Sequence, residues 1–334
     1  MSQNNNTLQE IFASFRYLKV LIVGDAMIDK YIFGHVNRIS PEAPIPIVDV
    51  YRRESRLGGA ANVALNIKQL GAKPLLASVV GDDSEGHELK QLLQTHAIDS
   101  AHIILDQDRK TTLKTRLVSR NQQIMRYDYE QATPLEENTE MALLDSVIDL
   151  IYAETPNVVI LQDYNKGVLT PKIIANIIHN CRQSGIAVAV DPKHDNFFAY
   201  EGCTLFKPNL REASEALRID INPTRIDTLL EADRQIRNIL DSKYTVITLS
   251  EKGIFVGMDN DRELLPAYIR RIVDVSGAGD TVIALLALGL ALDLDIFATA
   301  ELANIAAGLV CEQVGVVPID QEQLLQEAKV LMEE

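Results

Sequence analysis

Cysteine is scarce in this chain, three in 334 residues. Cys181, Cys203 and Cys311 are odd in number and far apart, with no CxxC pair and no histidine at metal spacing, which excludes a disulfide framework and a zinc site. A reducing cytoplasm fits that usage. Long apolar runs are also missing. The longest, Thr281 to Leu292, is too short to span a bilayer, and the amino terminus MSQNNNTLQE lacks the basic and apolar regions of a signal peptide. We therefore expect a chain that is neither anchored nor exported. Positive charge is in deficit: 32 lysines and arginines against 47 acids leave a formal net charge of -15. Nucleic acid and anionic membranes are poor partners for such a surface.

What is present is ordinary for a soluble globular protein, 47% hydrophobic and 24% charged residues. The length admits one large α/β domain or two modest ones, and the pattern favours one over residues 1–334. Short β-branched runs alternate with helical patterns. VLIVGD (20–25), a helix from Ala60 to Leu70, LLASVVG (75–81) and a helix from Glu85 to Thr95 begin the series. NVVILQD (157–163), a helix over 171–183, IAVAVD (186–191) and YTVITLS (244–250) continue it. Strand, helix, strand at this spacing predicts right-handed crossovers and a mainly parallel sheet covered on both faces. Ligands should then gather at the carboxyl ends of the strands.

Two stretches break the rhythm. Residues 31–57 hold three prolines within six positions, which excludes a helix there and predicts edge strands and turns. Residues 111–130, TTLKTRLVSRNQQIMRYDYE, predict two strands around a turn near Asn121. Together these insertions are expected to form one small β-sheet, a lid over the ligand cleft. In an acidic chain, residues 110–126 carry Lys110, Lys114, Arg116, Arg120 and Arg126 with no acid among them. As a strand, 112–120 would present Lys114, Arg116 and Arg120 on one face, with Val118 between them. That face suits a phosphate; equally, it could be a solvated surface pairing with acids such as Asp128 and Glu130.

The stretch DVSGAGDTV (274–282) combines two glycines, an aspartate and an apolar run. A glycine-rich turn opening a helix leaves backbone N–H groups unpaired and aimed, with the positive end of the helix dipole, at an anion. Gly277, Ala278 and Gly279 would supply that pocket, the glycines letting the backbone approach phosphate closely. Asp280 makes little sense as a phosphate ligand but suits a base that takes a proton from a hydroxyl held between it and the phosphate. The plainer alternative is a helix start capped by Ser276 or Asp280. Other glycine motifs fall away. Gly81 to Gly86 has P-loop spacing, but His87 and Glu88 replace the required lysine and hydroxyl residue, and Val282 stands where a dinucleotide fingerprint needs its third glycine.

A second glycine site, GGAANVA (58–64), also opens a helix. With VGDAMID (23–29) and DVSGAGDT (274–281), it resembles the two signatures of the ribokinase-like sugar kinases, the phosphofructokinase-B family. Finer features are similar to one branch, the D-glycero-D-manno-heptose-7-phosphate kinases of ADP-heptose synthesis. They are GDAMIDKY (24–31), RISPEAPIPIV (38–48), GGAANVALNI (58–67), LVSRNQQIMRYDYE (117–130), QDYNKG (162–167), DPK (191–193) and KPNLREA (207–213). The resemblance spans roughly residues 18–320.

The resemblance implies a ribokinase-like fold and transfer of the γ-phosphoryl group of ATP, with Mg²⁺, to the anomeric hydroxyl of heptose 7-phosphate. Asp280 would be the base, and residues 277–279 the anion hole. Asp29, Gly58, Gly59 and Asn62 match positions that hold sugar hydroxyls; Asp29 could equally cap a strand end. Asp163, Lys166, Asp191 and Lys193 follow strand ends, where a cleft or merely a polar surface loop belongs. Asn209 and Glu212 match an NxxE element beside the nucleotide phosphates, with Glu212 near the metal; their spacing is also that of a helix cap. Ser250, Glu251 and Gly253 resemble a nucleotide-side turn, although Thr248-Leu249 lacks the arginine that relatives often carry there. Asn304 matches a position flanking adenine, or is a polar residue on a partly buried helix. The family and an exposed lid imply a homodimer joined through the lids. Relatives are often fused to a nucleotidyltransferase with an HxGH element, which this sequence lacks; it is expected to act as the kinase alone. A kinase for another sugar or nucleoside, or a non-catalytic ligand-binding relative, is the competing reading.

Overall fold

Strand β1 (Lys19–Gly24) shows how the chain builds two cores at once. Val20 and Ile22 join one apolar cluster while Leu21 and Val23 join another, so the alternating side chains of one strand fill both faces of a sheet. The computed structural model describes residues 7–332 apart from Asn121, Asn260 and Ile269. The turn expected near Asn121 therefore centres on a residue outside the described ones.

Helix α1 (Leu8–Ser14) precedes β1, and two long strands, β2 (Ala26–Ile39) and β3 (Pro46–Gly59), lead into α2 (Ala60–Gln69). Next come β4 (Lys73–Gly81), α3 (Ser84–Thr95), β5 (Ile103–Asp106), β6 (Thr112–Ser119) and β7 (Gln122–Tyr129). Helix α4 (Glu137–Glu154), β8 (Val158–Gln162), α5 (Pro171–Gln183), β9 (Ala187–Asp191), β10 (Leu205–Phe206) and α6 (Leu210–Leu217) follow. The chain continues through α7 (Ile226–Leu240), β11 (Tyr244–Thr248), β12 (Ile254–Met258) and β13 (Asp261–Leu265). It closes with α8 (Ala278–Ala291), α9 (Ile296–Cys311) and α10 (Gln321–Met332).

Among the described residues the main sheet has nine strands in the order β13-β12-β11-β10-β9-β8-β1-β4-β5. Its pairings from β10–β11 to β4–β5 are parallel, and β11, β12 and β13 close one edge as an antiparallel meander. Helices α2, α8 and α9 pack on the face of Val20 and Ile22, and α4, α5 and α7 on the face of Leu21 and Val23. The continuously apolar strands expected of a doubly covered parallel sheet are thus explained by burial on both sides.

The two proline-rich and basic insertions do form one second sheet, in the order β3-β2-β6-β7. Strands β2 and β3 pair antiparallel from Ala26–Gly59 to Ile39–Pro46, and β2 pairs parallel with β6. Bulges interrupt β2–β3 after Phe33 and Val36, and β6–β7 after Leu117. The Gly81–Gly86 stretch is a helix entry, where the Asp83 carboxylate caps α3 by accepting from the Gly86 N–H. Among the described residues no helix is long and apolar enough to cross a membrane.

Candidate active site

Helix α8 begins in an unusual way. Its N-cap is Gly277 at φ 86°, a left-handed conformation that favours glycine, and no side chain caps the first turn. Ser276 instead turns back, its N–H donating to Asp274 Oδ1 at 2.9 Å. The capping alternative for Ser276 and Asp280 is therefore not what the structure adopts, and the first amides of a 14-residue helix have no side-chain partner. At Gly279 a Cβ would meet only Asp191 Oδ2 and Lys207 Nζ, each 3.9 Å away, so the backbone here is approachable.

Asp280 lies one step inside this turn, 3% exposed. Three donors converge on its carboxylate. Asn62 Nδ2 donates to Oδ2 at 2.7 Å, while the Tyr164 hydroxyl at 2.7 Å and Gln162 Nε2 at 3.3 Å donate to Oδ1. Burial pushes the carboxyl up to about 7, against the hydrogen bonds of Asn62 and Tyr164; the Asp191 and Asp29 carboxylates add to the rise. Asn62 Oδ1 and Gln162 Oε1 are buried without a hydrogen-bond partner among the described residues, two acceptors left over beside a carboxylate.

Of the other predicted residues, Asp163, Asp191 and Lys193 stand at or just beyond the carboxyl ends of β8 and β9, and Asp29, Gly58 and Gly59 on the lid strands β2 and β3. Asp29 on β2 is buried and paired with the Arg116 guanidinium of β6. Burial raises the Asp29 carboxyl even though Arg116 works to lower it. A Cβ on Gly58 would stand 2.3 Å from Asp29 Oδ2, so glycine is needed for β3 to pass this carboxylate; Gly59, at φ 57°, makes the turn into α2 that carries Asn62. Asp191 is held by Lys207 at 3.0 Å and by Gln162 Nε2 at 3.0 Å. Lys193 pairs with Glu212 and lies 5.4 Å over the Tyr164 ring. Burial opposes its charge, but Asp191 and Glu212 prevail and raise its pKa.

Asn209 and Glu212 form the capping box their spacing allowed, Asn209 Oδ1 accepting from the Glu212 N–H and Glu212 Oε2 accepting from the Asn209 N–H, both at 2.8 Å. Glu212 is thus both cap and partner of Lys193. The turn Ser250–Lys252 stands next to this element, tied by the Thr248 N–H to the Pro208 carbonyl at 3.1 Å. Ser250 and Gly253 both have positive φ there, and Glu251 is exposed. Asp163 turns away from Asp280, accepting from the Tyr200 hydroxyl at 2.6 Å and from Asn196 Nδ2 at 3.0 Å. The Lys166 ammonium reaches the lid instead, 2.9 Å from Glu130. Asn304 gives its amide to the Pro266 carbonyl at 2.8 Å and makes no hydrogen bond to the carboxylate centre.

The basic lid face needs correction. Arg120 is not on it: β6 ends at Ser119, the pairing with β7 slips after Leu117, and Arg120 is an exposed turn residue at φ 49°. Lys114 is already neutralised by Asp128 at 3.0 Å and Glu130 at 3.1 Å, the surface pairing that the charge pattern also permitted. Arg116 alone looks inward. Besides Asp29 it borders a cavity of about 160 Å³ with Tyr31, Gln123 and Asp274. Sequence reasoning missed Gln162, Tyr164 and Lys207 as individuals, although each stands in a quoted motif at a strand end; that position was the available signal.

The fold is that of the ribokinase-like kinases. Phosphofructokinase-2 from Escherichia coli, solved in complex with substrates and products, superposes with a TM-score of 0.78 over 95% of this chain and 100% of that one, at 17% identity. Arabidopsis thaliana ribokinase complexed with ribose and ATP gives a TM-score of 0.71 over 92% and 99%, at 16% identity. Residues 18–323 match the pfkB family carbohydrate kinase description, and the chain belongs to that family. Among curated proteins it is 43% identical to the bifunctional protein HldE of Methylobacillus flagellatus over 92% of its own length and 62% of that protein's. It is 39% identical to the bifunctional protein HldE of Pelobacter propionicus over 96% and 65%. The chain thus spans a little under two thirds of the length of these relatives.

Proposed function

We propose that this chain transfers the γ-phosphoryl group of ATP to the anomeric hydroxyl of D-glycero-D-manno-heptose 7-phosphate, giving the 1,7-bisphosphate in ADP-heptose synthesis. The observation that carries the reading is Asp280, a buried carboxylate pushed up to about 7 in the first turn of a helix with uncapped amides. Such a group is poised to take a proton near neutrality. The hydroxyl proton passes to Asp280, the sugar oxygen bonds to the γ-phosphorus, and the bond to the bridging oxygen breaks to release ADP. Amides of residues 277–279 stabilise the charge on the transferring group. Lys207, 3.9 Å from where a Gly279 Cβ would stand, offers a cation at the same place.

Asp29, Gly58, Gly59 and Asn62 are assigned to the sugar, with Asp191 and Lys193 around it and Asp163 and Lys166 supporting the adjoining loop. The free Asn62 and Gln162 oxygens suit sugar hydroxyl donors. Asn209, Glu212, Ser250, Glu251 and Gly253 are assigned to the nucleotide side, and Asn304 to the second rank behind it. Among the described residues no group of three acids, histidines or cysteines is arranged to hold a metal. Mg²⁺ is assigned chiefly to phosphate oxygens and water, with Glu212 as the protein carboxylate beside it. When bound, the cation neutralises phosphate charge.

Heptose 7-phosphate is favoured over other sugars by the lid and loop motifs and by the HldE-named relatives. Arg116 is assigned to the distal phosphate. A homodimer through the lids is supported by edge strands β3 and β7, which expose Val50, Tyr51, Ile124, Met125, Tyr127 and Tyr129; sedimentation showing monomer alone at micromolar concentration counts against it. Free Cys181, Cys203 and Cys311 suit the cytoplasm. The deciding experiment is ATP consumption against a panel of sugars and sugar phosphates. Heptose 7-phosphate should give the highest kcat/KM; a preference for ribose, fructose or a nucleoside moves the assignment, and no turnover with any sugar leaves a binding protein.

A further inference from the structure

The loop after β8 touches the proposed base through one residue that the sequence motifs assign no task. The Tyr164 hydroxyl donates to Asp280 Oδ1 at 2.7 Å, and its ring lies beneath the Lys193 ammonium. The phenol is fully available as a donor, since burial and the neighbouring Asp280 carboxylate push its pKa well above 10.

Tyr164 is held from behind. Asp25, 1% exposed at the end of β1, accepts backbone N–H groups of Tyr164 at 2.7 Å, Lys166 at 3.0 Å and Val168 at 3.1 Å. Asp163 binds the same loop at the Asn165 N–H, 2.7 Å, while Tyr200 and Asn196 fix Asp163. Gly167, at φ 88°, lets the loop pass where a Cβ would stand 2.0 Å from the Thr133 carbonyl oxygen. This ring of backbone bonds around one buried carboxylate fixes the loop 164–168 that presents the phenol.

We infer that Tyr164 is a positioning residue for the base, orienting the Asp280 carboxylate and favouring its anion by donating the phenol hydrogen to it, with Asp25 fixing the loop that presents it. The inference rests on Asp280 being the base. The titratable groups facing Asp280 are Asp29 from β2, Asp191 from β9, Lys193 beyond β9, Lys207 beyond β10 and Tyr164 itself; α2 contributes the neutral Asn62. Of the titratable groups, Tyr164 is the one that hydrogen-bonds to the carboxylate, beside the neutral amides of Asn62 and Gln162. Removing its donor therefore raises the pH at which Asp280 becomes a base, whereas a purely structural tyrosine leaves that pH alone.

Tyr164→Phe tests this with the full chain, ATP and heptose 7-phosphate. The acid limb of kcat/KM should move up by about one pH unit, so that activity at pH 6 falls about tenfold below wild type while at pH 9 the two agree within about twofold. A difluorotyrosine at position 164, a stronger donor of the same shape, should move the limb down. Carbon-13 titration of the Asp280 carboxyl in the substrate-free protein should shift in the same two directions, independent of turnover. A limb and a carboxyl titration unmoved by both changes overturn the inference, including when activity falls evenly at every pH. Asp280→Asn, measured in parallel, separates the layers: if it retains turnover, the base itself is wrong; if it is inactive while the Tyr164 variants titrate like wild type, only the positioning role fails.

Discussion

The Asn62 amide donates to Asp280 Oδ2 across 2.7 Å, joining residues 218 positions apart in the chain. Each stands in the first turn of a helix led by glycine, α2 after Gly58-Gly59 and α8 after Gly277. The contact brings the two glycine sites together at one carboxylate, where the sugar and phosphate sides of a kinase reaction must meet.

Asp280→Asn keeps the size of the side chain and removes the proton acceptor. We expect kcat to fall by about 10² or more with little change in KM for ATP, measured by coupled ADP release. Near-normal turnover sinks the mechanism. The same variant also reports on stability. A carboxyl raised from 3.8 to about 7 contributes stability that is full below its unfolded pKa and is lost as pH rises toward 7. The variant lacks this loss, so its melting temperature relative to wild type should rise between pH 5 and pH 8, by the equivalent of roughly 1–3 kcal/mol. A difference that is flat with pH contradicts the burial of a titrating Asp280.

Gly279→Val should raise KM for ATP by about tenfold or more and leave the melting temperature nearly unchanged. In the folded chain a Cβ there meets nothing closer than 3.9 Å, so the damage should appear only when phosphate approaches the backbone. Wild-type kinetics would remove the anion hole from this helix. A large loss of stability instead would mean that packing, not ligand approach, requires this glycine.

Arg116 and its neighbours on the lid separate phosphate recognition from surface charge. Arg116→Ala exposes Asp29 as an uncompensated buried charge, so Arg116→Lys is the cleaner change: it retains a charge but loses the planar fork. It should raise KM for heptose 7-phosphate by about tenfold and hardly alter that for ATP. Lys114→Ala and Arg120→Ala should stay within about threefold of wild type, because one cation is already paired with Asp128 and Glu130 and the other stands in an exposed turn. A wild-type KM in Arg116→Lys returns the distal-phosphate site to open question.

Local pattern in the sequence was enough for the alternating elements, the small second sheet and the glycine-led entry to α8. Each depends on residues close in the chain: apolar period, proline placement, or the left-handed turn at Gly277. The weaker readings were those in which one spacing serves two purposes. Asn209 and Glu212 are a helix cap in fact, and Glu212 is also bound to Lys193. The two-residue period that put Arg120 beside Lys114 and Arg116 assumed a strand running on to residue 120, whereas β6 ends at Ser119 and Arg120 is left-handed in the turn beyond it.

Which residues could serve an anion and a proton at the start of α8 follows from backbone conformation and side-chain type alone. The state of those residues follows from packing. Burial beneath α2 and the β8 loop raises Asp280 to about 7, and Asn62, Gln162 and Tyr164 reach it from separate elements. Desolvation and the convergence of distant donors depend on how the layers pack, and no spacing along the chain encodes them.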